Sequence, residues 1–122
     1  MGKSVHDNVI DAALDEIATG TLLSVTSDVG TPTDLTNTLA SVALTAGDGN
    51  GYFTIANGDT SGRKITVAQQ ADVSITAPGT ALHIVISLGG TILLTTTCTS
   101  QALTSGGTVT IPAFDDEIAD PT

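Results

Sequence analysis

The residues able to do acid–base, nucleophilic or ligand chemistry are few in this chain: two histidines, His6 and His83, one cysteine, Cys98, and a scatter of Ser, Thr and Asp. His6 falls in the first turn of a helical segment and His83 in a strand-like run. Either would need Ser87, Cys98 or an Asp beside it to form a nucleophile–base pair. No Gly-x-Ser-x-Gly elbow and no His-x-x-x-His spacing occurs in the sequence. Cys98, set in an alternating run, reads as a small packing residue, and a lone cysteine excludes an internal disulfide framework. Asp48-Gly49-Asn50-Gly51 opens like a calcium loop, but Tyr52 stands at the third ligand position and no bidentate Glu follows, so a hairpin turn is expected. The stretch Gly58 to Lys64, GDTSGRK, has the outline of a phosphate loop. It lacks the Lys-Ser/Thr pair and leads into a strand, so it reads as a β-turn with Arg63 and Lys64 as ion-pair partners for an acidic surface. The expectation is no catalytic residue, no cofactor, no metal site and no enzyme.

Composition points the same way. The 13 acidic residues outnumber the 3 basic ones, for a formal net charge of -10, a surface that phosphate backbones repel; nucleic acid is excluded as a partner. Aromatic residues are 2% of the chain, with no Trp, one Tyr and two Phe, so the core must be built from Val, Ile, Leu and Ala. Such a core is modest, since each buried aliphatic side chain contributes roughly 1.5 to 3 kcal/mol against roughly 1 to 2 kcal/mol per residue of backbone ordering. Association with other copies would relieve this. A carbohydrate-binding module would need exposed aromatic platforms, and Tyr52 alone is a weak basis for one. The start, MGKSVHDNVIDAAL, lacks the pattern of a signal peptide, and no window approaches about 18 uninterrupted apolar residues. A soluble cytoplasmic product with no membrane partner is expected.

The elements that must position these residues form one domain over 1–122. Ser4 and Asp7 fit capping-box spacing and Gly20 a stop, which predicts a helix over 5–18 with Val9, Ile10, Ala13, Leu14 and Ile17 on one stripe. Asp7, Asp11 and Asp15 recur at i, i+4, i+8 on another face, either simply solvated or offered to a basic partner surface. From Thr21 the period becomes two, and short alternating runs separated by Gly, Asn, Asp and Pro predict strands over 21–114. The fold class expected is mainly β, an antiparallel sandwich or barrel, jelly-roll arrangements included, with one N-terminal helix. Residues 115–122 read as an acidic tail, although Phe114 and Ile118 suggest that it docks.

The run from Val73 to Phe114 contains no Asp, Glu, Lys or Arg. Its central hairpin has two registers to choose from. A two-residue turn at Gly89-Gly90 mixes the faces, whereas a three-residue loop, Leu88-Gly89-Gly90, puts Leu82, Ile84, Ile86, Ile92, Leu94 and Cys98 on a core face. The second separates core from surface and leaves an outer face of His83, Val85, Ser87, Thr91, Leu93, Thr95 and Thr97. Free surface strands usually carry charge against edge pairing, and this one carries none, so His83, Val85, Leu93, Thr95 and Thr97 are the candidate contact residues for another subunit.

Three stretches, VHDNVIDAALDEI, FTIANGDTSGRKITVA and TSQALTSGGTVTIPAFDDEIADP, together resemble small structural proteins of tailed bacteriophages and prophages. The resemblance implies a virion component made in the bacterial host cytoplasm. In particular it implies a capsid decoration, or cement, protein that clamps the major capsid protein from outside as a dimer or trimer. A tail, fibre or baseplate-associated β-domain shares nearly all of these features. The resemblance carries over no active-site residue and leaves residues 21–48 without a counterpart.

Overall fold

A computed structural model describes residues 5–120. The helix α1 (Asp7–Ile17) begins two residues later than its capping-box spacing suggests, because His6 is the N-cap: its backbone is extended and its Nδ1 accepts from the Asn8 amide at 3.1 Å. Ser4, the cap expected from spacing, lies outside the described residues. The buried ridge is Ile10, Leu14 and Ala18, with Ile17 half-buried. Val9 (63% exposed) and Ala13 face solvent, so the apolar stripe is narrower than expected. Gly20 ends the helix for a packing reason. A Cβ there would run into the Cγ2 of Ile86, so only glycine lets the helix exit pass this close to the sheet.

Nine strands follow: β1 (Leu22–Thr26), β2 (Thr38–Ala43), β3 (Phe53–Asn57), β4 (Arg63–Val67), β5 (Gln70–Ser74), β6 (Gly79–Leu88), β7 (Thr91–Leu103), β8 (Thr108–Ile111) and β9 (Phe114–Ile118). They form three antiparallel sheets, β2-β1-β6-β7, β3-β4-β9 and β5-β8. The fold is mainly β with one helix. A single apolar cluster joins them, with Leu23, Val25, Ile84 and Ile86 from the first sheet, Phe53, Ile65 and Val67 from the second, Val73 and Ile111 from the third, and the helix ridge. Phe53 is the one fully buried aromatic; aliphatic side chains do the rest.

The β6–β7 hairpin resolves the choice of register differently from expectation. Leu88 pairs with Thr91 across a two-residue turn, and Gly89 (φ 57°) and Gly90 (φ 88°) both take the left-handed conformation that a type I′ turn requires. A bulge then absorbs one residue of β7, so that Ser87 faces Ile92 but Ile86 faces Leu94, Ile84 faces Thr96 and His83 faces Thr97. The bulge does part of what the three-residue loop is expected to do, since Ile92, expected on the core face with Ile86, stands opposite Ser87 instead. It puts Leu94 on the core face beside Ile86.

The acidic stretch after Phe114 is a strand and not a tail. β9 pairs with β4, setting Glu117 opposite Lys64 and Asp115 within 3.4 Å of the Lys64 Nζ. An acidic strand is accepted there because β4 opens with the only adjacent basic pair in the sequence.

Candidate functional site

Each residue able to do chemistry already has a structural task. The His6 ring caps α1. The His83 Nδ1 lies 2.9 Å from the backbone carbonyl of Asp28. Ser87 is four residues from His83 along the same strand, about 13 Å away at strand rise, and is itself buried. Burial pushes the half-buried Cys98 thiol above its usual pKa, which lowers its thiolate fraction. Among the described residues no group of three or more His, Cys, Asp or Glu is placed to hold a metal ion.

The two ligand-like loops are closed by the protein's own groups. In the Asp48–Gly51 turn, Asp48 Oδ1 accepts from the Ile55 amide at 2.9 Å, and Asn50 spans the loop from the Thr45 and Ala46 carbonyls to the Tyr52 amide. In the Gly58–Gly62 turn, Glu117 Oε1 accepts from the Thr60 and Ser61 amides at 3.1 and 3.2 Å. The amides that a phosphate would use are therefore occupied by a carboxylate from β9. Both basic residues next to this turn form ion pairs. Arg63 grips Asp11 of α1 through Nε at 2.7 Å and Nη2 at 3.3 Å, and Lys64 reaches Asp59 at 2.7 Å. Each cation is held above its usual pKa, first by these hydrogen bonds to Asp11 and Asp59. Tyr52 is half-buried against the core and offers no open platform.

The expected contact residues divide. On α1, Asp7 and Asp15 are exposed, but Asp11 is half-buried in its pair with Arg63, so the acidic row is not one free stripe. On the outer hairpin face Thr97 is exposed, while His83, Leu93 and Thr95 are half-buried. Val85 is fully buried and cannot touch a partner in this conformation. The reason lies in its neighbours: β6 is an interior strand between β1 and β7, and Ser24, Thr26 and Ser87 are buried with Val85. The loop 27–37 closes against this end of the sheet through the Asp28–His83 contact, a Ser27–Asn37 backbone bond at 3.1 Å, and an Asn37–Asp28 side-chain bond at 2.7 Å. Pro32, within that loop, is buried. Part of the cover that this face requires is supplied by the chain itself.

One feature was not visible in the sequence. A pocket of about 370 Å³ opens between the second half of β7 and the β8–β9 segment, with Val25, Ala81, Ile84, Leu103, Ile111 and Phe114 among its apolar walls. Thr96, Thr97, Thr99 and Gln101 supply its polar margin, Cys98 lies within it, and none of its lining residues is charged. Small and β-branched side chains leave this volume where larger ones would fill it. The charge-free run was the available signal, but only tertiary structure brings β7 and β8 to opposite walls. No family model, characterised protein or solved structure matches the chain. No helix among the described residues is long and apolar enough to cross a membrane.

Proposed function

We propose that this chain is a structural protein of a tailed-phage virion that binds and stabilises the capsid exterior as a decoration protein. The observation that carries this reading is the charge contrast. In a chain of net charge -10, the long edge strand β7 runs 13 residues without a single charged side chain, and its stretch Thr99–Ala102 is exposed. Such a strip suits protein–protein adhesion, while the acidic remainder suits solubility before assembly. The proposed mechanism is clamping. A small domain that buries about 800 Å² per partner reaches a standard specific interface, and repetition over a shell multiplies the effect. In this reading the partners are the major capsid protein and other copies of the chain, as a dimer or trimer. Nucleic acid, membrane, cofactor and catalysis take no part, and the protein is made in the host cytoplasm and ends in the virion.

Cosedimentation of the purified protein with undecorated heads tests the proposal. Saturable binding at hundreds of copies per head is the expected result. Binding to tails and not to heads would replace it with the second reading, a tail, fibre or baseplate-associated β-domain, for which a handful of copies per particle is expected.

A further inference from the structure

We propose that the outer edge of β7 and the pocket beside it form a docking site for an extended, apolar, non-acidic segment of another polypeptide, which joins the sheet as a fifth strand. Two independent observations meet at this place. The first is main-chain: β7 is the last strand of its sheet, bonded in the ladder only to β6, and among the described residues no backbone–backbone hydrogen bond outside that ladder reaches 91 to 103, the one side-chain bond there being the local Thr96 Oγ1 to Thr97 carbonyl contact at 3.5 Å. β7 runs 13 residues without Lys, Glu or Pro. Its second bulge sets Cys98, Thr99 and Ser100 against the single residue Leu82, since Ala81 faces Gln101 and His83 faces Thr97. Bulges recur at sheet edges and beside binding sites, and this one lies at the pocket margin.

The second observation is the pocket itself. At about 370 Å³ it is within the roughly 300–1,000 Å³ range of ligand pockets, and Ile84, Leu103, Ile111 and Phe114 give it apolar walls. An added strand meets both features at once, because its main chain bonds the edge while every second side chain points to the face on which the pocket opens. A small apolar molecule would fill the pocket and leave the edge unpaired. A second copy docked through this edge would bring two net charges of -10 together around the pocket, so the dimer or trimer contacts of the adhesion reading are assigned to another surface, and an acidic segment would meet the same repulsion. The favoured occupant is therefore a neutral or basic segment of a different protein. This names the kind of partner segment that the adhesion reading above needs, and it rests on that reading only for where the segment comes from.

The test uses the full chain and three synthetic peptides, followed by calorimetry and by the rate of Cys98 alkylation with iodoacetamide. They are acetyl-TVTITVT-amide, the same peptide N-methylated at the alternate amides that would face β7, and acetyl-EVEIEVE-amide. The neutral peptide should bind and slow Cys98 alkylation, and the N-methylated and acidic peptides should bind at least about tenfold more weakly. Thr99→Lys should abolish binding with an unchanged far-UV spectrum, whereas Thr54→Lys, exposed on β3, should bind as the parent does. No binding by the neutral peptide, equal binding by the N-methylated one, or indifference to Thr99→Lys would overturn the proposal. So would a dimer of the isolated chain that Thr99→Lys converts to monomer, which would assign the edge to a second copy. Head binding that survives any of these failures would leave the decoration reading standing and remove only the docking strand.

Discussion

At the scale of single residues, what distinguishes this chain is how close its backbone segments come. Gly62 and Gly89 both have positive φ, 68° and 57°, but their surroundings differ. A Cβ at Gly62 would collide with the Ile118 carbonyl where β9 lies against the Gly58–Gly62 turn, while nothing approaches a Cβ at Gly89 within 4 Å. Gly89→Ala should therefore cost about 1 kcal/mol, the left-handed penalty alone. Gly62→Ala should cost clearly more, because β9 must also move; urea denaturation of the two variants gives the comparison, and equal costs would mean that β9 is loosely docked. A second residue-scale expectation concerns Thr26, whose hydroxyl is buried without a protein partner beside the similarly unpaired Ser24 hydroxyl. Thr26→Val keeps the shape and removes the unpaired group, so it should be neutral or stabilising by up to about 1 kcal/mol. A loss of more than about 1 kcal/mol in the same denaturation assay would show that the hydroxyl is hydrogen-bonded in solution.

At the scale of elements, the sequence is legible where periodicity is local and opaque where partners are distant. The helix, the strand alternation and the Gly/Asn turns were readable because each rests on neighbouring residues. The hairpin register was half-readable: Ile86 and Leu94 do share the core face, but through a bulge at Leu93 that alternation alone does not reveal. Residues 115–122 read as a tail because three acids in a row suggest solvent; pairing with β4, opposite Arg63 and Lys64, makes Phe114–Ile118 a strand. Of the candidate site, the exposure of Thr97 was legible and the burial of Val85 was not, since the loop 27–37 that closes there has no periodicity to read. Leu93 tests the element directly. It is the half-buried residue that the bulge inserts into β7. Leu93→Lys should lower stability by no more than about 1 kcal/mol, because the long Lys stem can cover the same surface with its ammonium in water. It should weaken head binding by an order of magnitude or more. Cosedimentation set beside a thermal melt separates these effects, and a variant that unfolds would make Leu93 a core residue.

At the scale of the whole molecule, charge balance is the dominant electrostatic fact. Thirteen acidic side chains face three basic ones, so even with Arg63 paired to Asp11, and Lys64 to Asp59 and Asp115, most carboxylates have no cation to answer them. Two opposing effects of salt follow. Screening weakens the ion pairs, which at these solvent-accessible positions contribute little. It also weakens the mutual repulsion of the remaining carboxylates, which acts throughout the compact state and is lessened on unfolding. With two paired cations among the described residues against the whole acidic surface, relief of repulsion should win. The melting temperature should rise between about 10 mM and about 150 mM NaCl, as the Debye length shortens from roughly 30 to 8 Å, and then flatten. A charge-free strand makes the same logic apply to assembly: β7 has no charge to screen, so its own contacts should be insensitive to salt, and any gain in association must come from the acidic surroundings. Melting curves across that range decide the matter. A melting temperature that falls with salt would mean that the Arg63–Asp11 and Lys64 pairs outweigh the net charge, and that the fold depends on the clasp between α1, β4 and β9 more than on its aliphatic core.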